Sequence, residues 1–320
     1  MNKNLRDLYG VHQGKVSDKW SLYLDEYERI FSHYRDLPIR LLEIGIQNGG
    51  SLEIWGEYFP KAMMLVGVDI NLSCRALKYD DPRISVVVGD ANSNESRTEI
   101  LTKSIDFDLI IDDGSHKSSD IVKTFAYYFP FLADGGIFVA EDLHCSYWRE
   151  FEGGLYDPYS SLSFFKHLAD IVGQEHWGVS KASSEVLSGF SKYYDISFNS
   201  TSLEHIHSVE FVNSMCIVRK LPTDYNCLGK RVIVGDEAEV DAEVLKVNKT
   251  LIEPPSQYDN NWTKLAVDPA EEYLALRSEL MLEIEQNAAI KAELAKILTS
   301  RSWRSTAILR NIAALLRKLF

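Results

Sequence analysis

The chain has few cysteines and little positive charge, and it has no long apolar run. Cys74, Cys145, Cys216 and Cys227 are its only four cysteines among 320 residues, and none stands in a CxxC pair. That excludes a cysteine zinc site and a dense disulfide framework, and points to reduced thiols on the cytoplasmic side. No run approaches the roughly 18 apolar residues of a membrane span, and "MNKNLRDLYG" lacks the apolar centre of a signal peptide. With 34 basic against 47 acidic residues, the net charge of −13 argues against a nucleic-acid binder, whose affinity comes from neutralised phosphates. The shortage of positive charge stops at the end of the chain. Residues 301–320 hold Arg301, Arg304, Arg310, Arg317 and Lys318 and no acid, which leaves −18 on the rest.

Short apolar runs alternate with helical patterns from Leu41 to about Lys220, as in a parallel sheet wound with helices. The candidate strands are "RLLEIG", "MLVGVDI", "ISVVVGD", "FDLIID" and "GGIFVAED", then "IHSVEFV" and "SMCIVRK". The first five are nearly continuous in hydrophobicity, which suits strands covered on both faces. Only Asn213 and Ser214 separate the last two, a spacing that predicts an antiparallel edge hairpin. The expected fold is α/β, a doubly wound Rossmann-like sheet of class I methyltransferase order, followed by a helical tail. The expected organisation is a helical segment over 1–38, the sheet domain over 39–222, a linker over 223–270 and a helical region over 271–320. Within the first segment, Trp20, Tyr23, Leu24, Tyr27 and Phe31 recur at helical spacing and read as a core-facing stripe. In the last, Leu280, Ile284, Leu294 and Leu298 fit part of a heptad that Asn287 and Lys291 interrupt.

Acids collect where the strands end. "LLEIGIQNGGS" sets Gly45, Gly49 and Gly50 between a strand and a helix, a turn that lets backbone approach a ligand closely. Glu43 in that stretch would repel a pyrophosphate, which disfavours a dinucleotide, but it suits the ammonium and sulfonium of S-adenosylmethionine. Asp69 ends the second strand, where a carboxylate accepts ribose hydroxyls, and Asp90 ends the third, near an adenine. Asp112, Asp113 and His116 end the fourth strand, and Glu141, Asp142 and His144 the fifth. Carboxylates crowded above neighbouring strands repel one another unless a cation sits between them, and hard oxygen ligands favour Mg²⁺. A histidine beside them has a pKa suited to removing a hydroxyl proton.

"EIGIQNGGS", "IDDGSH" and "EDLHCSYW" together resemble the metal-dependent sugar O-methyltransferases, the family of macrolide deoxysugar methyltransferases, over about residues 5–220. The resemblance implies Asp113, Glu141 and Asp142 as Mg²⁺ ligands and His116 as general base, with Asp113 counted in the catalytic pair. It also implies a cofactor site for S-adenosyl-L-methionine, here Glu43, Gly45, Gly49, Ser51, Asp69, Asp90, Ala91 and Asp112. The aromatic and flexible "SYWREFEGGLYDPYSS" is expected to cover a sugar ring, with Tyr147 and Trp148 as stacking faces. "SRSWRSTAILR" resembles tail segments of bacterial surface-polysaccharide enzymes, and Ile308, Leu309, Ile312, Leu315, Leu316 and Leu319 share one helical face. The expected acceptor is therefore a sugar of an O-antigen-like surface glycan, and a glycosylated small metabolite is the alternative. The tail is expected to touch the inner membrane face or glycan assembly enzymes, or else to dock on a second subunit and form a homo-oligomer. A nicotinamide oxidoreductase and a non-catalytic S-adenosylmethionine-binding scaffold are the competing classes; Glu43 speaks against the first, the intact acids and His116 against the second.

Overall fold

The computed structural model describes residues 3–264, 271–300, 303, 305 and 306. Seven strands form one sheet: β1 (Arg40–Ile44), β2 (Met64–Asp69), β3 (Ile84–Val88), β4 (Phe107–Asp112), β5 (Leu132–Ala140), β6 (Ile206–Val212) and β7 (Met215–Lys220), in the order β3-β2-β1-β4-β5-β7-β6. The first five are parallel, and β7 pairs antiparallel with both β5 and β6. Ser214 takes φ +69° in the two-residue turn of the edge hairpin. Strand order reverses between β1 and β4, and the loops leaving their carboxyl ends diverge there into a crevice.

Both faces of the sheet are covered, which is why β1, β2 and β4 lack the polar alternation of a half-exposed sheet. On one face Leu41, Leu65, Leu109 and Ile137 meet α1 (Leu5–Val11), α2 (Ser21–Phe31) and α3 (Gly50–Tyr58). Trp55 of α3 is the centre of that layer, with Tyr27 and Phe31 of α2 at ring distances of 5.3 and 5.8 Å. Next in the chain come α4 (Asn94–Lys103), α5 (Ser118–Tyr128), α6 (Ser161–Val172), α7 (Ser188–Tyr194) and α8 (Ser200–Leu203). On the opposite face Phe125 of α5 and Phe165 of α6 close around Phe138 of β5. Fully burying such a ring contributes about 1.5–3 kcal/mol.

The N-terminal segment is not one helix. Residues 12–20 form an extended strap between α1 and α2, held at Lys15, whose backbone N–H and Nζ both reach Glu53, and at Val16, whose carbonyl accepts the Gly50 N–H. A Cβ on Gly50 would lie 2.1 Å from the Lys15 carbonyl oxygen, so the crossing needs glycine there. Trp20, read as part of the core stripe, is 60% exposed at the end of this strap, whereas Tyr23, Leu24, Tyr27 and Phe31 are buried.

Residues 223–264 are mostly irregular, with short 3-10 turns and the single-turn α9 (Asn261–Lys264). The segment bonds to the sheet domain through Gln257 N–H to the Gly178 carbonyl and Leu228 N–H to Glu175. The chain divides into two compact units, Met1–Val267 and Asp268–Phe320. In the second, α10 (Glu271–Thr299) is a 29-residue helix on which Ile284, Leu294 and Leu298 are exposed. The amphipathic face expected over 301–320 lies outside the described residues, save Trp303, Ser305 and Thr306.

Candidate active site

The loop after β1 and the loop after β4 interlock. Asp113 N–H donates to the Ile44 carbonyl at 2.8 Å, and Gly45, at φ +90°, would drive a Cβ to 1.9 Å from the Asp113 carbonyl oxygen. Gly45 is therefore fixed by steric contact as well as by its dihedral. Gly49, at φ +79°, precedes α3 and accepts the Tyr79 hydroxyl proton on its carbonyl at 3.0 Å.

Two cavities open on this crevice and share Gly45, Asp69 and Gly114 in their walls. The first, of about 340 Å³, is closed by Lys19 and Trp20 of the strap and reaches Asp113, His116, Glu141 and Asp142. The second, of about 210 Å³, runs past Asp90, Ala91, Asp112 and Thr124. Together they follow the carboxyl edge from β3 to β5. Asp69 faces both, and its two oxygens accept the Gln47 N–H at 2.7 Å and the Asn71 N–H at 2.8 Å. Asp90 is exposed and accepts the Asn92 N–H; the Ala91 carbonyl accepts the Tyr128 hydroxyl proton.

Asp112 is buried, with Oδ1 near the Gly114 N–H at 3.3 Å and Oδ2 without a hydrogen bond. Burial pushes its carboxyl up to about 7, against the pull of the Gly114 N–H. Burial thus favours its protonated form beyond what an ordinary carboxyl shows.

Glu43 departs from expectation. It is wholly buried and absent from the cavity walls; its Oε2 accepts the Ser51 hydroxyl proton at 2.7 Å, and its Oε1 lies 3.7 Å from Lys19 Nζ. As placed, Glu43 neutralises Lys19 rather than reaching into the cavity. Ser51 is turned to Glu43 in the same way, although it also borders the cavity.

Asp113, His116 and Asp142 bring one ligand atom each to within 4.8 Å of the others, close enough for a single cation to bridge them. His116 Nε2 stands 3.6 Å from Asp142 Oδ2, while its Nδ1 is buried without a partner. Asp142, at φ +54°, is held through Oδ1 by the Trp20 indole N–H at 3.0 Å and the Tyr23 hydroxyl at 2.8 Å. Its Oδ2 is left toward His116. His144 bonds Ser214 Oγ through Nδ1 at 2.5 Å and lies 3.8 Å from Asp142 Oδ1, a supporting position.

Glu141 turns inward. Its Oε1 accepts the Tyr27 hydroxyl proton at 2.5 Å and a proton of Lys19 Nζ at 2.7 Å. Lys19 Nζ also donates to Asp113 Oδ2. Burial, and then the neighbouring Asp113 charge, push Glu141 up to about 8, opposed by Lys19 and Tyr27. Asp113 and Glu43 are raised by burial too, while Lys19, though desolvated, is held well above its ordinary value by the three acids.

Lys19, Tyr23 and Tyr27 thus border the site, although the helical spacing of the two tyrosines predicts only a core role. The signal lay in that same spacing. Residues four apart on a helix stand in line, so Tyr23 and Tyr27 of α2 carry their hydroxyls on one stripe, whereas Lys19 lies before the helix in the strap and carries no such signal. Near the cavity mouth, rings follow one another from Trp20 to His144 to Trp148 to Phe151 to His116, with centroids 4.9–6.4 Å apart. Trp148 is 49% exposed and Tyr147 46%.

No family model matches the chain. Among curated proteins it is 37% identical over 178 residues to the 8-demethyl-8-alpha-L-rhamnosyl tetracenomycin-C 2'-O-methyltransferase of Streptomyces olivaceus, covering 52% of this chain and 46% of that one. To the demethylmacrocin O-methyltransferase of Streptomyces fradiae it is 35% identical over 178 residues, covering 51% and 44%. The chain spans less than half the length of these relatives. Among solved structures it is similar to the MycE methyltransferase of mycinamycin biosynthesis in complex with Mg, SAH and mycinamycin VI. There the TM-score is 0.57 at 27% identity, over 70% of this chain and 55% of the other. The sheet with its antiparallel edge hairpin has the class I methyltransferase fold, and the resemblance to sugar O-methyltransferases holds.

Proposed function

We propose that the chain is a Mg²⁺- and S-adenosylmethionine-dependent O-methyltransferase that methylates a sugar hydroxyl. One observation carries the reading: Asp113, His116 and Asp142 meet within 4.8 Å beside a cavity that opens at the strand-order reversal. The donor set fits the ion, with two carboxylates and room for water and substrate oxygens.

S-adenosylmethionine would supply the sulfonium methyl, and Mg²⁺ would lower the pKa of the sugar hydroxyl and orient it. Asp69 binds the ribose hydroxyls, and the open backbone at Gly45 lets the cofactor lie against the β1 loop. Asp113 and Asp142 would hold the ion. His116 takes the hydroxyl proton at Nε2 as the oxygen bonds to the methyl carbon and the carbon–sulfur bond breaks. The ring series from Trp20 to Phe151 presents apolar faces to the sugar and keeps water from the methyl.

The Streptomyces olivaceus relative is by name a 2'-O-methyltransferase of a rhamnosyl tetracenomycin, which favours a glycosylated small metabolite as acceptor. A surface-glycan sugar is the second reading, and it rests on the basic, apolar sequence of residues 301–320. Thermal melts with S-adenosylhomocysteine, NAD and Mg²⁺ test the cofactor class: S-adenosylhomocysteine should raise the melting temperature and NAD should not. Stabilisation by NAD alone would return the chain to the oxidoreductases.

A further inference from the structure

Residues 229–252 have no part in the chemistry above, and they fold back on themselves. Arg231 N–H donates to the Thr250 carbonyl and the Arg231 carbonyl accepts the Lys249 N–H, both at 2.9 Å. Ile233 N–H donates to Asn248 Oδ1 at 3.1 Å. Bonding at alternate residues is the strand pattern, in which neighbours turn their N–H and C=O groups to opposite sides. With Arg231 and Ile233 facing inward, Val232 and Val234 face outward. Among the described residues nothing bonds their N–H or carbonyl groups, and their side chains are 85% and 87% exposed. Gly229, at φ +76°, and Gly235, at φ +90°, turn the chain at either end of this open edge. Charge is arranged about its centre. Lys230 and Arg231 precede the valines, Asp236 and Glu237 follow them, and among the described residues none of the four has an ion-pair partner.

We propose that this edge pairs antiparallel with the same edge of a second copy of the chain, about a two-fold axis at Ile233. In that register Val232 of each copy stands opposite Val234 of the other and exchanges both main-chain bonds with it, while Lys230 stands toward Asp236. The occupant is a second copy because the segment reads basic, apolar, acidic about its own centre, so its two ends satisfy each other when it meets itself. Opposite charges and apolar β-branched pairs across strands both favour the contact. An isologous contact closes on itself, and the turn at Gly235 keeps the edge too short to template an open array. The paired surface is small beside the roughly 800 Å² per partner of a standard interface, so the dimer is a weak one that exchanges with monomer. The inference stands apart from the methyl-transfer reading.

The test is sedimentation velocity of the full chain over a concentration series. The wild type should pass from monomer to dimer as concentration rises. Lys230→Glu and Asp236→Lys should each weaken dimerisation roughly tenfold or more, because each turns two attractive pairs into two repulsive ones. Mixed in equal amounts, the two variants should dimerise with each other at near wild-type affinity, since every pair across the mixed contact is again opposite in charge. That recovery also shows that both variants are folded. Val232→Pro, which deletes an outward N–H that nothing in the monomer uses, should weaken the dimer to a similar degree and leave the melting temperature of the dilute monomer unchanged. A wild type that stays monomeric at the highest concentration reached overturns the proposal. So does a dimer that none of these variants weakens, which would move the contact to another surface such as the exposed α10, and so does a mixture of the two charge variants that fails to recover.

Discussion

Replacing Asp69 by alanine should separate cofactor affinity from fold stability, because this carboxylate holds two loop N–H groups and faces the proposed cofactor cavity. Its oxygens hold the Gln47 N–H at 2.7 Å and the Asn71 N–H at 2.8 Å, fixing the loop after β1 and the turn after β2. It also faces both cavities, where it would accept the ribose hydroxyls. A hydrogen bond to a charged group contributes about 1.5–3 kcal/mol, so losing the ribose contact should weaken S-adenosylhomocysteine binding by about 10- to 150-fold. Losing the two backbone partners should cost the ligand-free chain about 1–3 kcal/mol, and each kcal/mol lowers the melting temperature of a domain this size by about 2–4 °C. Calorimetric titration well below the melting transition reads the first quantity and a thermal scan the second. Asp69→Asn, which keeps one acceptor for the loop, should recover part of the stability and little of the affinity. A Kd for S-adenosylhomocysteine within threefold of wild type in Asp69→Ala would refute the ribose assignment, whatever happened to the melt.

Three further outcomes are expected. His116→Ala should leave S-adenosylhomocysteine affinity near wild type and lower kcat by roughly 10²–10⁴; an equally active variant would move the base elsewhere. Asp112, raised by burial to about 7, keeps in the folded chain a proton that the unfolded chain releases near pH 4. Its contribution therefore falls as pH rises through the window from about 4 to about 7 and is level above it. Urea unfolding in EDTA should show wild type losing roughly 1–3 kcal/mol relative to Asp112→Asn between pH 5 and pH 8, and a pH-independent difference would remove the buried proton. Truncation after Leu298 takes away the five basic residues of the tail and should abolish salt-sensitive sedimentation with anionic liposomes; equal sedimentation of both forms would favour a subunit-docking tail.

The sheet was legible because its strands are buried on both faces, so each read as a compact apolar block, and the Asn213–Ser214 spacing alone announced the edge hairpin. The acids at the strand ends were legible for the same reason: a carboxylate directly after such a block must sit on the carboxyl edge. What the sequence concealed was supplied by the N-terminal segment. Trp20, Tyr23 and Tyr27 have both an apolar body and a polar tip, and periodicity registers only the body. Their hydroxyls and indole N–H reach Asp142 and Glu141, more than 110 positions away in sequence. The surroundings of Glu43 were illegible for a related reason. A glutamate in a glycine-rich loop suggests a ligand contact, and only the fold shows Lys19 crossing over it.

The most direct measurement is methyl transfer itself. The full chain, given S-adenosylmethionine labelled in its methyl group and a panel of rhamnosyl and other deoxysugar glycosides, should place label on a sugar oxygen when Mg²⁺ is present. EDTA should abolish that transfer and added Mg²⁺ restore it, with the position of the methyl read by mass spectrometry of the released sugar. Transfer that persists undiminished in EDTA, or label found on nitrogen or carbon and never on a sugar oxygen, would contradict the account.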